Sequence, residues 1–197
     1  LLRPRWESYT ESFILNISVA FKGSIDKVVI GQMMGFAILG NYQLGFQLLG
    51  IMNMLPIIVF SYILPQDAGG IPNKKLKRLV ILSSVGIAIA GIVLSPIIIP
   101  HIFPNYIDVV EVIQIFSISI IPFTIGIIFM SEFLGDEKIR IVLVGSAIFI
   151  IVMVSSIIIL GNMFGINGIA SSMVIADSAE VIFYFIIKRS QIRKKSI

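Results

Sequence analysis

The chain lacks most of the residue types that soluble enzymes and metalloproteins use. It has no cysteine and only one histidine, His101, in 197 residues. The missing cysteines exclude disulfides, thiol catalysis and cysteine metal sites. We interpret His101, which lies between two prolines, as a polar residue at a membrane interface. The sequence contains no cluster with metal-ligand spacing, so we predict neither a metal nor a cofactor.

Charge is also scarce. Charged residues make up 13% of the chain and hydrophobic residues 57%, with a mean hydropathy of +1.01, whereas a soluble domain carries about 25% charged residues. Residues 79–99 and 141–169 contain no charge at all. About 20 residues of helix cross the hydrocarbon core of a bilayer, where backbone groups must bond within their own segment. The sequence therefore predicts an all-α, multi-pass membrane protein with six transmembrane helices, at about 12–34, 37–64, 77–99, 109–131, 141–161 and 168–187.

The distribution of the basic residues predicts the orientation of these helices. Thirteen of the fifteen Lys and Arg residues lie on one side of the six-span map. Short cationic loops stay in the cytoplasm during insertion, so we expect both termini to be cytoplasmic, with an interfacial approach at 1–11 and a basic tail at 188–197. Topology and anionic headgroups account for the net charge of +4, so we expect the lipid bilayer and not a nucleic acid as partner. These thirteen residues are Arg3, Arg5, Lys74, Lys75, Lys77, Arg78, Lys138, Arg140, Lys188, Arg189, Arg193, Lys194 and Lys195.

The first predicted span holds the other two cations. Asn16, Lys22, Asp26 and Lys27 fall within an arc of about 140° on one helix face. Each ionisable group near the bilayer centre is costly and needs an explanation. One explanation is structural, since Lys22 and Asp26 are four residues apart and close enough to pair. The other explanation is functional: the residues form a water-accessible, cationic helix face that binds an anionic headgroup. The two are compatible.

The sixth predicted span carries two carboxylates, Asp177 and Glu180, on one stripe with Tyr184. If both were ionised they would repel, so we expect one to be protonated or to share a cation. This pattern is typical of a coupling site for Na⁺ or H⁺. The alternative is that Glu180 is solvated near the interface, or is paired with Lys22 or with a cation of the tail.

The first two spans resemble helices seven and eight of the polysaccharide flippases, which belong to the multidrug/oligosaccharidyl-lipid/polysaccharide exporter superfamily. The similarity runs through SIDKVVIGQMMGFAILGNYQLGFQLLGIMNMLPIIVFSYILPQ, with Asp26, Gly31, Gly40, Tyr42 and Pro65 at the family positions. It continues through IFPNYIDVVEVIQIFSISIIPF, LGDEKIRIVLVGSAI and FGINGIASSMVIADSAEV, and so covers nearly the whole chain.

This resemblance implies the C-terminal lobe of a two-lobed transporter whose N-terminal lobe is missing from this chain. The implied function is to move a polyprenyl-pyrophosphate-linked oligosaccharide across the plasma membrane by alternating access. Lys22 and Lys27, with Asp26 and Asn16 beside them, would bind substrate, and Asp177 and Glu180 would couple transport to Na⁺ or H⁺. The fifth span departs from the family in having no acid, which weakens the resemblance at the cation site.

Two other functions stay open. A cation-coupled multidrug antiporter of the same superfamily would use acidic, aromatic-lined cavities instead of paired lysines. A non-transporting membrane scaffold subunit is the second. An enzyme is not expected, because the sequence offers no membrane-facing catalytic or metal-spaced cluster. The chain begins without Met at Leu1, and we expect it to be the C-terminal piece of a longer protein.

Overall fold

The computed structural model describes residues 22–195, apart from the side chains of Ala37, Ile192, Lys194 and Lys195. Asn16, the N-terminal arm and residues 12–21 of the first predicted span lie outside the described residues. Every regular element within 22–195 is helical. The elements are α1 (Ile25–Met34), α2 (Phe36–Met52), α3 (Met54–Ala68), α4 (Lys74–Ile102), a 3₁₀ turn (Pro104–Tyr106), α5 (Val109–Gly135) and α6 (Ile139–Lys195).

The predicted second span, 37–64, is broken into α2 and α3, which meet at Asn53 with a bend of 46°. The break lies one turn before Pro56. A proline has no N–H for the carbonyl four residues earlier, and its ring clashes with that carbonyl, so the helix is interrupted near Met52. The bonds from Asn53 N to Leu49 O (2.9 Å) and from Ile57 N to Asn53 O (3.1 Å) persist on either side.

The α6 segment folds back on itself at Gly165, whose φ of 60° and ψ of −136° are not helical. A Cβ on Gly168 would lie only 1.9 Å from the Leu160 carbonyl oxygen, whereas residues eight apart in a straight helix are about 12 Å apart. Farther along, the Tyr184 hydroxyl lies 3.3 Å from the Val142 carbonyl oxygen. The two halves of α6 are therefore an antiparallel hairpin that contains the predicted spans 141–161 and 168–187.

Three helices are long and apolar enough to cross a membrane, namely α4, α5 and α6, and the count becomes four if the bent α2–α3 pair is one span. Over residues 22–195 the chain is thus an all-helical, multi-pass membrane protein. The finer division into six spans stays a prediction.

Helix α5 is the centre of the packing. It contacts α2, α3, α4 and α6, and half of its most apolar stretch is buried, compared with 17% for α4. Phe116 and Ile120 of α5 pack with Tyr42 of α2 and with Phe149 and Ile169 from the two halves of α6. Many large apolar side chains of α4 are exposed, as expected of a helix that faces lipid.

Candidate functional site

One ion pair connects Lys22, just before α1, to the second half of α6, and a second pair lies within α1. The Lys22 ammonium pairs with the Glu180 carboxylate and lies 4.1 Å from the centre of the Phe149 ring. The Lys27 ammonium lies 3.5 Å from Asp26 Oδ1 and 3.9 Å from the centre of the Phe46 ring. Each lysine therefore has one carboxylate and one aromatic face, which together lower the cost of holding a cation away from water.

The expected pair of Lys22 with Asp26 is wrong. Lys22 precedes a turn at Gly23 and Ser24, and α1 begins only at Ile25, so the helical spacing of four does not apply. Lys22 instead pairs with Glu180. This pair was one of the alternatives that the sequence analysis gave for Glu180. Asp26 takes its neighbour Lys27 as partner.

Asp26 is almost fully buried, with 1% of its surface exposed. The Tyr42 hydroxyl, itself buried on α2, donates a 2.7 Å hydrogen bond to Asp26 Oδ2. This bond satisfies the carboxylate oxygen that Lys27 does not contact. Asp26 is therefore held from two sides, and its position is set by packing between α1 and α2.

Glu180 is also satisfied at both oxygens. Its Oε2 pairs with Lys22, and its Oε1 accepts a 2.9 Å hydrogen bond from the Tyr184 hydroxyl. Tyr184 is buried one helical turn farther along α6. Because a hydroxyl has one proton, the shorter contact with Glu180 is favoured over the 3.3 Å contact with the Val142 carbonyl.

Asp177 differs from the other carboxylates. It is 3% exposed, and its Oδ2 has no hydrogen-bond partner among the described residues. Asn53, at the break between α2 and α3, is 7% exposed, and its Oδ1 likewise lacks a partner in that part of the chain. Both residues line one cavity of about 260 Å³, together with Lys22, Gly23, Phe46, Leu49, Gly50, Ile57, Phe123, Phe149 and Met173.

The residues Lys22, Asp26, Lys27, Asp177 and Glu180 form what we call the charged cluster. It has two potential cations and three potential anions, so one carboxylate is in excess. The ion pairs join Lys22 to Glu180 and Lys27 to Asp26, and Asp177 forms no ion pair with another residue of 22–195. A buried, unpaired carboxylate is expensive, so Asp177 is expected to bind a proton or a cation. Over residues 22–195 no group of three His, Asp or Glu side chains is arranged to hold a metal ion.

A second ionic network joins the helix ends on the side of Lys74. The Lys77 ammonium lies 2.8 Å from both carboxylate oxygens of Asp67 and 3.1 Å from Glu132 Oε1. Lys188 binds the other oxygen of Glu132, and the Ser131 hydroxyl donates to Asp67 Oδ2 at 2.7 Å. The sequence assigned Lys77 and Lys188 only to topology. Lys77 is 7% exposed and joins α4 to α3 and α5, while Lys188 joins α6 to α5 through the shared Glu132.

The sequence assigned Lys22, Asp26 and Lys27 to substrate binding and Asp177 and Glu180 to ion coupling. The structure brings these five residues into one region, and their roles stay predictions. Sequence reasoning missed Asn53. The available signal was weak: an amide three residues before Pro56, in a predicted span that also contains Asn41, Gln43 and Gln47. Tyr42 and Tyr184 were noted for their spacing and motif, but their hydrogen bonds to carboxylates depend on tertiary packing.

Comparison of the chain with protein-family models, with curated proteins and with solved structures finds no match.

Proposed function

We propose that the chain is one lobe of a membrane transporter that moves a polyprenyl-pyrophosphate-linked oligosaccharide by alternating access. The observation that carries this proposal is the pair of lysines in the charged cluster. Lys22 and Lys27 lie in the first predicted span, and their side chains are 22% and 26% exposed. Ionisable groups within membrane spans are rare and commonly mark substrate or ion pathways.

The chemistry of the two ion pairs supports an anionic substrate. A pyrophosphate brings several negative charges and acceptor oxygens, and an ammonium recognises such a group as a point charge. Both lysines already rest against a carboxylate and an aromatic ring, so an incoming phosphate would replace the carboxylates of Glu180 and Asp26 as partner. When the lysines exchange these carboxylates for phosphate, the carboxylates lose their counter-ions. A lobe movement that brings other cations near them would then be favoured, and this couples substrate binding to the movement.

The arrangement of the helices is compatible with six spans. The hairpin of α6 supplies two antiparallel halves, and α2–α3 is a bent pair. With α4, α5 and the incompletely described first span, these make one six-helix lobe. A second lobe, related by an axis along the membrane normal, would complete the central cavity.

Flipping is testable in liposomes that contain the full-length protein and a fluorescent lipid-linked oligosaccharide. We expect Lys22→Gln/Lys27→Gln to reduce the rate of transfer to the opposite leaflet by at least tenfold. Lys138→Gln removes a cation from the exposed turn between α5 and α6, where Lys138 pairs with Asp136, and serves as the control. Unchanged transfer in the double variant, with normal folding, would contradict the proposal.

One observation favours a second function, a cation-coupled multidrug antiporter. Asp177 and Asn53 line a cavity together with Phe46, Phe123 and Phe149, and each has a buried oxygen without a partner in the described part of the chain. Aromatic walls with a carboxylate suit organic cations. Export of a fluorescent cationic dye from the same liposomes, lost in Asp177→Asn and kept in Lys22→Gln/Lys27→Gln, would favour this function. The absence of both transport activities would favour a scaffold subunit.

A further inference from the structure

The start of α4 carries four cations, and the structure separates them into two groups. Lys77 points into the bundle, where Asp67 and Glu132 neutralise it. Lys74, Lys75 and Arg78 are exposed, and none has an ion pair within the described part of the chain. All four cations would serve the orientation of insertion equally, so orientation does not explain why three of them point outward without an ion pair to any residue in 22–195.

Two of these outward cations continue a stripe of lipid-facing residues. Lys75, Arg78, Leu79 and Leu82 follow a spacing of three and four, which places them on one side of α4. The stripe runs from Arg78 to Ile97, which is about 29 Å along the helix axis and close to the thickness of the hydrocarbon core. Its apolar members are 56–75% exposed, and they are Leu79, Leu82, Ile89, Val93 and Ile97.

A gap in this stripe lies at Gly86. A Cβ placed there would meet no atom within 4 Å, so the helix surface is open between Leu82 and Ile89. The loop before α4 adds Ile71, which is 77% exposed, and a cleft of about 700 Å³ whose lining includes Gln66 and Asn73. A cleft that Lys74 and Lys75 help to line, outward cations and a row of exposed apolar side chains therefore follow one another from the loop before α4 along its outer face.

We propose that this face of α4 binds an anionic phospholipid. Its phosphate would contact Lys75 and Arg78, with Lys74 and the cleft beside the rest of the headgroup. One acyl chain would lie along Leu79 and Leu82 and across Gly86. Charge complementarity selects an anionic headgroup over a zwitterionic one, because three exposed cations that form no ion pair with residues 22–195 lie together at the start of α4.

A second copy of the chain fits this face less well than a lipid. Two copies with the same orientation in a membrane would be related by a two-fold axis along the membrane normal, which pairs the same patch with itself. Lys74, Lys75 and Arg78 would then face their own equivalents, and like charges at an interface repel. A phospholipid brings the opposite charge and the required aliphatic chain in one molecule.

Native mass spectrometry of the detergent-solubilised protein tests this proposal without any transport assay. The probes are phosphatidylglycerol and phosphatidylcholine with identical acyl chains, and inorganic phosphate. We expect retained adducts with phosphatidylglycerol, at least tenfold more than with phosphatidylcholine, and none with phosphate alone. Equal retention of the two lipids would overturn the choice of headgroup, and retention of phosphate alone would overturn the role of the acyl chain.

Matched variants locate the site. Arg78→Gln is expected to weaken phosphatidylglycerol binding about fivefold, and Lys75→Gln/Arg78→Gln about twenty-five-fold, since each cation near an anionic headgroup contributes on this scale. Lys138→Gln removes the same charge as Arg78→Gln from a turn at the same end of the bundle and is expected to leave binding unchanged. Equal losses in Arg78→Gln and Lys138→Gln would mean a general charge effect and no site, while dimers in place of lipid adducts would assign the face to a second copy.

Discussion

At the scale of single residues, the buried carboxylates of this membrane bundle differ in how completely they are satisfied. Asp26 and Glu180 each have a lysine and a tyrosine as partners, while Asp177 has an oxygen without any partner among residues 22–195. A satisfied carboxylate contributes mainly to structure, and an unsatisfied one is a site for exchange of a proton or cation. The three acids are therefore expected to respond differently to neutral substitutions.

Tyr42→Phe is expected to destabilise the fold, because it removes the hydroxyl donor from a carboxylate that is 1% exposed. The expected loss is about 1–3 kcal/mol. Thermal unfolding of the detergent-solubilised protein measures it. Tyr62→Phe, at a position that is 61% exposed, is the control and should leave the unfolding temperature unchanged. An equal effect of the two substitutions would mean that the bond to Asp26 contributes nothing.

Asp177→Asn and Glu180→Gln are expected to separate stability from coupling. Glu180→Gln leaves the Lys22 ammonium without its counter-ion and should cost about 1.5–3 kcal/mol. Asp177→Asn breaks no ion pair, so we expect a change below about 1 kcal/mol together with loss of the dependence of transport on Na⁺ or H⁺. If both variants kept transport with its full ion dependence, the coupling role of these acids would be wrong.

At the scale of elements, glycines decide where helices approach and where they turn. Gly45 of α2 lies against α5, where an added Cβ would be 2.8 Å from Val112 Cγ1. Gly165 provides the non-helical backbone, with φ at +60°, that reverses α6. The sequence contains sixteen glycines and does not indicate which of them lie at helix contacts. Only the tertiary structure separates the glycines that pack against a neighbouring helix from those with open space beside them.

Gly45→Ala is expected to destabilise the protein by about 1–3 kcal/mol, because the new methyl group overpacks the contact between α2 and α5. Gly40→Ala, in the same helix, meets no atom within 4 Å and should be neutral or stabilising by up to about 1 kcal/mol. Thermal unfolding of both variants in one detergent gives the comparison. A larger loss at Gly40 than at Gly45 would contradict the packing described for α2.

At the scale of the whole molecule, the network around Lys77 fastens four helices at one end of the bundle. Lys77→Met leaves the carboxylates of Asp67 and Glu132 without that cation, and the expected loss is about 3–5 kcal/mol because Lys77 and Asp67 are buried. Lys75→Met, two residues earlier and exposed, should change stability by less than about 0.5 kcal/mol. The measurement is thermal unfolding, and similar values for the two variants would mean that the network does not stabilise the bundle.

The two ends of the bundle are expected to face opposite sides of the membrane. Gly135 packs against the backbone of Asp67 and Ala68, and Asn167 bonds to Glu111 at the other end. Because these 197 residues contain no cysteine, single cysteines introduced into them can be labelled without background from this part of the protein. Gly70→Cys and Asp136→Cys should react from the cytoplasmic side, and Asn105→Cys from the outside. Labelling of all three from one side would contradict the six-span map.

The sequence by itself determined the class of this protein and the approximate positions of its helices. Long uncharged runs allow only helices in lipid, and this holds whatever the neighbours are. The charges in the first and sixth predicted spans also identified where function was to be sought. What periodicity did not predict was the break at Asn53 or the turn before Ile25, since both depend on local backbone geometry.

Only the tertiary structure decided which charges pair. Lys22 pairs with Glu180, 158 positions away, and Lys77 with Glu132, 55 positions away. Such partners are set by how α6 folds back and how α4 and α5 pack, because a buried charge takes whichever counter-ion the bundle brings near. The same packing left Asp177 and Asn53 at one cavity, each with an oxygen that no residue of 22–195 contacts by a hydrogen bond. Side-chain composition alone could not distinguish these from the acids and amides that found partners.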